Sequence, residues 1–173
     1  AKRIWALPFL SVLAPSERFY QERKRPHKPV LCWARQMLKQ VRRWLPNRNL
    51  VVTADSTYAA LEFLAACQGL RKPITVVTRL RLDAALYDPA PARLAKQIGR
   101  PRKKGARQPT LAARLSDPNT VWTETRLAWY GATRKSVRLA SGTALWYHNG
   151  LPGVRIRWVL ITDGAGGFEP QAL

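Results

Sequence analysis

The chain has 173 residues, of which 46% are apolar, so it is long and apolar enough for one globular domain with a hydrophobic core. Lysine and arginine total 30 against 10 acidic residues, which gives a net charge of +20. This excess of positive charge indicates a polyanionic partner, most often a nucleic acid. No apolar run reaches the roughly 18 residues that span a membrane, so we expect no membrane association and a cytoplasmic protein.

The cysteines and histidines do not predict a metal site. Cys32 and Cys67 lie 35 residues apart, and the chain has only two histidines, His27 and His148. A zinc site takes about four closely placed ligands. We therefore expect both cysteines to be reduced, buried thiols that bind no metal.

The first half of the chain alternates between strand and helix patterns. In the segment 30–44, apolar residues such as Leu31, Ala34, Leu38 and Val41 recur on one face of a helix. The alternation predicts an α/β fold with a partly parallel sheet, in which the strand over 50–54 is buried on both faces. The predicted elements are a strand over 4–13, a polar loop over 15–29 with room for a short helical turn, a helix over 30–44, a strand over 50–54, a helix over 57–69 and a strand over 74–80.

The second half of the chain has a different pattern. Residues 88–119 are rich in proline, arginine, lysine and alanine and predict an extended arm. The glycine-rich TDGAGGF at 162–168 predicts a β-turn. An α/β core followed by an antiparallel β insertion is therefore expected. Three segments after the arm alternate apolar and polar residues, and they are TVWTETRLAWYG, KSVRLASGTALWYH and VRIRWVLITD.

The positive charge is concentrated in two segments, because residues 1–50 carry +10 and residues 91–115 carry +8, whereas residues 51–90 are neutral. In the second segment, GRPRKKG resembles the core of an AT-hook, with Ile98 where an arginine usually stands. Its proline keeps the backbone extended, and extended arginines fit the narrow minor groove of DNA. The alternative is a solvated basic loop. The candidate DNA-binding residues are Arg100, Arg102, Lys103, Lys104 and Arg107.

One acidic residue, Asp55, follows directly after the apolar strand over 50–54. Ligands of α/β sheets collect at the carboxyl ends of the strands, and a carboxylate there is a suitable oxygen ligand for Mg²⁺. The alternative is that Asp55 caps the following helix, with Ser56 or Thr57 sharing that role. Position alone leaves both interpretations open.

The aromatic residues of the second half also allow two interpretations. They could stack on unpaired bases beside neighbouring arginines, or they could pack across the strands of a sheet. The motifs GxxxxGKS/T, GxGxxG and GxSxG are absent, which argues against a nucleotide-binding loop and against a serine hydrolase. The aromatic residues are Trp122, Trp129, Tyr130, Trp146, Tyr147 and Trp158.

The order of these segments resembles that of a bacterial insertion-sequence transposase of the DDE superfamily endonuclease type, which has a ribonuclease-H-like catalytic core. The resemblance covers essentially the whole chain. It rests on RIWALPFLSVLAPSERFYQER, WARQMLKQVRRWLPNRNLVVTADSTYAALEFLAAC, VTRLRLDAALYDPAP, GRPRKKG and WYGATRKSVRLASGTALWYHNGLPGVRIRWVLITD.

The resemblance implies a metal-dependent DNA nuclease and strand transferase that acts on transposon ends and target DNA. In that family three carboxylates hold two Mg²⁺ or Mn²⁺ ions, and Asp55 in VVTADSTY stands where the second carboxylate is found. Residues 1–87 would be part of the ribonuclease-H-like core, 88–165 the basic arm and β insertion, and 166–173 the return toward the core. A homodimer of the full-length protein and a location at the bacterial nucleoid are further expectations.

The resemblance also implies carboxylates that this chain does not supply. The first is expected upstream of Ala1, and the third, a glutamate on a helix, beyond Leu173. We therefore expect a central fragment of a transposase catalytic domain that is inactive alone. The competing hypotheses are a non-catalytic basic module that binds nucleic acid and an RNA nuclease on the same core. Other acids of this chain lie in the wrong sequence contexts to replace the two missing carboxylates, and they are Asp83, Asp88, Asp117 and Asp163.

Overall fold

The computed structural model of the protein describes residues 8–92, 98–128, 134–164 and 166–173. Within them a two-stranded parallel sheet, β1-β2, precedes a five-stranded antiparallel sheet of order β3-β5-β6-β7, in which β4 also pairs with β5. This arrangement confirms the predicted α/β class and the change to antiparallel strands. The elements are α1 (Glu17–Glu22), α2 (Val30–Trp44), β1 (Val51–Ala54), α3 (Leu61–Gln68), β2 (Thr75–Thr78), β3 (Leu86–Tyr87), α4 (Leu111–Ser116), β4 (Thr123–Ala128), β5 (Arg134–Trp146), β6 (Val154–Thr162) and β7 (Gln171–Ala172).

The parallel pair and its two helices form the first hydrophobic core. Strands β1 and β2 run in register from Val51 beside Thr75 to Ala54 beside Thr78. The apolar face of α2 packs against this core through half-buried residues such as Leu31 and Leu38, as the helical spacing predicts. The buried members of the core are Leu61, Phe63, Leu64, Cys67, Ile74 and Val154.

The prediction that β1 is buried on both faces is wrong. Val52 packs against the helices, whereas Val51 on the opposite face is 66% exposed and Thr53 is also exposed. In the part of the chain that the structure describes, β1 pairs only with β2. The helices therefore cover one face of the pair, and the alternate side chains of β1 meet solvent.

Three local predictions need correction. Residues 8–13 form no strand, and the rest of the segment predicted as a strand over 4–13 lies outside the described residues. The helix predicted over 57–69 is divided into a short 3₁₀ turn, Ser56–Tyr58, and α3, because Ala60 has an extended backbone that interrupts it. The arm contains α4, whose Thr110 hydroxyl accepts a hydrogen bond from the Ala113 amide at 3.1 Å and caps the helix.

Strand β5 organises the second sheet. Its first half pairs with β4, its last two residues pair with β3, and most of its length pairs with β6. One face of this sheet forms a second core with α4, in which Leu111 is fully buried. The sheets are joined at the end of the chain, where the Leu80 amide donates to the Ala172 carbonyl at 2.9 Å. The predicted β-turn near 162–168 is also present, because the Gly166 amide donates to the Asp163 carbonyl at 3.1 Å.

The aromatic side chains of this sheet serve mainly in packing. Trp158 is 4% exposed and lies over Gly142, while Trp122 and Trp146 pack against the cores. A buried ring cannot stack on a base, so the packing interpretation holds for Trp158. Trp129 and Tyr130 lie outside the described residues.

Two of the expectations from the sequence concern the cysteines and the helices that could span a membrane. Cys32 and Cys67 are both free thiols, but the prediction that both are buried is wrong for Cys32, which is only half-buried on α2. Burial raises the pKa of the Cys67 thiol. None of the helices in the described ranges is long and apolar enough to cross a membrane.

Candidate functional site

Asp55 lies at the carboxyl end of the parallel pair. It follows the last residue of β1, Ala54, which is in register with Thr78, the last residue of β2. Because the two strands run in the same direction, their carboxyl ends meet at one edge of the sheet. This is the edge at which α/β proteins place ligands.

The local geometry of Asp55 combines a cap with a free oxygen. Its Oδ1 accepts a hydrogen bond from the Thr57 amide at 2.9 Å and caps the 3₁₀ turn. Its main-chain carbonyl accepts from the Thr78 hydroxyl at 2.5 Å, which joins the ends of β1 and β2. The side chain is exposed, and among the described contacts its Oδ2 has no hydrogen-bond partner. Asp55 itself therefore does the capping, and its second carboxylate oxygen is left without a hydrogen bond among the described contacts.

The residues present do not complete a metal centre around Asp55. Across the four described ranges, no group of three histidine, cysteine, aspartate or glutamate side chains is placed to hold a metal ion. The acids that the sequence places in the wrong contexts are engaged elsewhere: Asp83 pairs with Arg81 at 2.6 Å, Asp88 accepts from Gln108 at 2.8 Å, Asp117 accepts from the Asn119 amide at 2.9 Å, and Asp163 pairs with Lys135 at 2.7 Å. The Arg81 guanidinium holds the pKa of the Asp83 carboxyl below its usual value. Within the described ranges, Asp55 therefore lacks the further ligands that a complete metal centre needs.

The apolar groove beside this edge is not a second candidate for the metal. It has a volume of about 500 Å³ and lies between β2 and β6, with Ile74, Val76 and Ile156 in its lining. Its described lining contains no aspartate, glutamate, cysteine or histidine side chain. A hard cation would find no suitable ligand set there.

The basic arm is attached to the antiparallel sheet rather than to the parallel pair. The Gly105 amide donates to the Asp88 carbonyl at 2.8 Å, the Asp88 amide donates to the Ala106 carbonyl at 2.8 Å, and the Gln108 amide donates to the Leu86 carbonyl at 2.9 Å. Residues 105–108 thus run antiparallel to residues 86–88. The segment that carries the five candidate DNA-binding residues is thus attached to the antiparallel sheet, whereas Asp55 lies at the edge of the parallel pair.

The five candidates of the arm differ in exposure. Arg100, Arg102, Lys103 and Arg107 are exposed, whereas Lys104 is half-buried. The Lys104 ammonium lies 3.7 Å from the centre of the Tyr87 ring and 5.0 Å from the centre of the Tyr147 ring. Sequence reasoning missed the role of the two tyrosines, because 60 residues separate them and only the β3–β5 pairing brings them together.

A second basic residue also has a structural partner that the sequence does not reveal. Arg42, on the polar side of α2, donates to the carbonyls of Leu45 at 2.9 Å, Arg48 at 2.7 Å and Pro73 at 3.2 Å. Arg42 therefore connects the end of α2 to the loop before β2. Arg35 and Lys39 on the same helix are exposed and add to the basic surface.

Comparison with known proteins identifies the family of the chain. The DDE superfamily endonuclease family matches residues 3–141, which is most of the chain and includes Asp55, the basic arm and the first part of β5. No curated protein sequence and no solved structure matches the chain at a significant level. The family acts on DNA by nuclease or transposase chemistry and generally uses divalent metal ions. The chain belongs to the DDE superfamily endonucleases.

Proposed function

We propose that this chain is the central part of a DNA transposase catalytic domain, which cuts DNA at transposon ends and joins the cut strand to a target. The observation that carries the proposal is the position of Asp55. This chain belongs to the DDE superfamily endonucleases, and its Asp55 is an exposed carboxylate at the carboxyl end that two parallel strands share. The basic surface supports DNA as the substrate.

Asp55 is proposed as a ligand of Mg²⁺ or Mn²⁺ through its free Oδ2, while Oδ1 stays bound to the Thr57 amide. That hydrogen bond fixes the carboxylate, so the free oxygen is held in one direction. When bound, the divalent ion would polarise a phosphoryl oxygen and activate a water or a 3′-hydroxyl. Because the described ranges contain no group of three side chains that could hold a metal ion, we infer that this chain alone does not cleave DNA.

The parts of the chain have separate proposed roles. Residues 1–87 are assigned to a ribonuclease-H-like core, 88–165 to a basic arm and β insertion that hold transposon-end DNA, and 166–173 to the return toward the core. The hydrogen bond between Leu80 and Ala172 supports that return. The exposed Arg100, Arg102, Lys103 and Arg107 are the proposed phosphate and minor-groove contacts. A homodimer at the bacterial nucleoid would hold the two transposon ends together.

The experiment that tests the role of Asp55 is plasmid nicking by the full-length transposase with Mg²⁺. The variant Asp55→Asn can keep the cap but removes the negative charge of the side chain, and it is expected to abolish nicking while DNA binding is unchanged. Asp117→Asn is the matched control, because the Asp117 carboxylate accepts from the Asn119 amide at 2.9 Å in the same kind of turn. Nicking retained in Asp55→Asn would show that Asp55 is not a metal ligand.

A second candidate function is a non-catalytic module that binds nucleic acid. It is favoured by the net charge of +20 and by the lack of a ligand cluster in the described ranges. This candidate predicts that the full-length protein binds DNA with a strong salt dependence and never nicks it, with or without Asp55. A third hypothesis is an RNA nuclease, and comparing the cleavage of DNA and RNA substrates in the same assay distinguishes it from a DNA transposase.

A further inference from the structure

Lys104 stands apart from the other basic residues of the arm, and we propose that it is a positioning residue. Its ammonium group, held by Tyr87 and Tyr147, fixes the base of the arm to the antiparallel sheet, so that Arg100, Arg102 and Lys103 reach DNA from a fixed point. The DNA contact rests on the proposed function, whereas the anchoring of the arm does not.

The geometry around Lys104 is that of a cation bound by two aromatic rings. The Nζ atom lies 3.7 Å from the Tyr87 ring centre and 5.0 Å from the Tyr147 ring centre, both within the range of a cation–π contact. The rings meet edge to face, with centres 6.2 Å apart and planes at 85°. The nearby Lys104 ammonium also lowers the pKa of the Tyr87 hydroxyl. The ammonium is thus directed toward the sheet, where it is poorly placed to reach a phosphate.

The backbone beside Lys104 is held in the same place. Gly105 approaches the loop after β3 so closely that a Cβ atom on it would lie 2.5 Å from the Pro89 carbonyl oxygen. The Gly105 amide donates to the Asp88 carbonyl, and Tyr87 forms an isolated β-bridge with Arg107. Side chain and backbone therefore fasten the same point of the chain to β3.

An anchor at Lys104 limits where DNA can pass. An extended chain advances at most about 3.6 Å per residue, so the Cα atoms of Arg102 and Arg100 lie within about 7 and 14 Å of that of Lys104. DNA that contacts both arginines must then run close to Tyr87 and Tyr147 on the antiparallel sheet. A free arm would impose no such limit.

The experiment compares two neighbouring lysines in the whole chain. Lys104→Gln removes the cation from the tyrosines, and Lys103→Gln is the matched control because Lys103 is exposed and adjacent. Hydrogen exchange of the Gly105 amide reports the anchoring without DNA. We expect Lys104→Gln to accelerate this exchange about two- to thirtyfold, the range for loss of a cation–π contact, and Lys103→Gln to leave it unchanged.

DNA binding supplies the second measurement. The slope of log K against log salt should fall by about one in Lys103→Gln, which loses a phosphate contact, and should stay near the wild-type value in Lys104→Gln. Lys104→Arg keeps a cation over the rings and is expected to restore slow exchange. The variant Tyr87→Leu with Tyr147→Leu should accelerate exchange as Lys104→Gln does, and combining all three changes should add little more.

The outcomes separate the anchor from the proposed function. Unchanged Gly105 exchange in Lys104→Gln overturns the anchor, and a slope that falls by about one in that variant assigns Lys104 to a phosphate. Accelerated exchange supports the anchor even when the chain binds no DNA, and in that case only the proposed function fails. Should the double tyrosine variant fail to fold, Tyr147→Leu alone gives the same comparison, since Tyr147 lies outside β5, directly after its last residue.

Discussion

The packing of Trp158 over Gly142 gives a prediction about stability that follows directly from a distance. A Cβ atom on Gly142 would lie 2.6 Å from Cζ2 and 2.9 Å from Cε2 of the Trp158 ring. Carbon atoms pack best at about 3.5–4.0 Å. The ring is 4% exposed and in the second core, so it cannot move aside without displacing its neighbours. Gly142→Ala is therefore an overpacking substitution in the centre of β5.

The expected loss of stability can be estimated from two opposing effects. Overpacking of a core costs about 1–3 kcal/mol, and replacing glycine by alanine recovers about 0.4–1 kcal/mol through the unfolded chain. We expect Gly142→Ala to lower the free energy of unfolding by about 1–2 kcal/mol. For a chain of this size, this corresponds to a fall of about 2–8 °C in Tm.

The assay is urea unfolding followed by tryptophan fluorescence. Gly164→Ala is the matched control, because the nearest atom to its added Cβ would be Arg138 Cδ at 3.9 Å, an ordinary contact. Its stability should stay within about 0.5 kcal/mol of the wild type. In the double variant Gly142→Ala with Trp158→Phe, the smaller ring should offset part of the loss, giving a coupling of about 1 kcal/mol. Equal stability of the Gly142→Ala and Gly164→Ala variants would refute the reasoning.

Two further predictions concern charged residues with structural partners. Asp163→Asn should destabilise the protein by about 2–3 kcal/mol in urea unfolding, because the Asp163 side chain is 3% exposed and its partner Lys135 is 27% exposed, so the pair is only partly screened. The control is Asp117→Asn, because the Asp117 carboxylate is half-buried and forms no salt bridge among the described residues. Equal losses of stability in the two variants would contradict the prediction. Arg42→Ala should cost about 1.5–3 kcal/mol, because three backbone carbonyls lose a charged donor. The exposed Arg43→Ala should have little effect, and a stable Arg42→Ala variant would show that these bonds are not formed in solution.

The sequence by itself determined the features that depend on local patterns. The spacing of apolar residues gave the limits of α2 over 30–44, and the alternation of apolar and polar residues gave β5 and β6 to within a residue or two. Asp55 could be placed at a strand end for the same reason, since a short β-branched run followed by a carboxylate and two hydroxyls is a local signal. Periodicity reports which face of an element is buried, and it requires no knowledge of the neighbour.

Only the tertiary structure decided which side chains meet across long distances in the sequence. Lys104 and Arg42 look like solvated cations in a sequence with so many of them, yet one lies against two tyrosines and the other binds three carbonyls. The exposed face of β1 likewise depends on which elements cover it. A single sequence carries no signal for such contacts, because charge and propensity are properties of one residue, whereas a partner is set by how the strands pair and the helices pack.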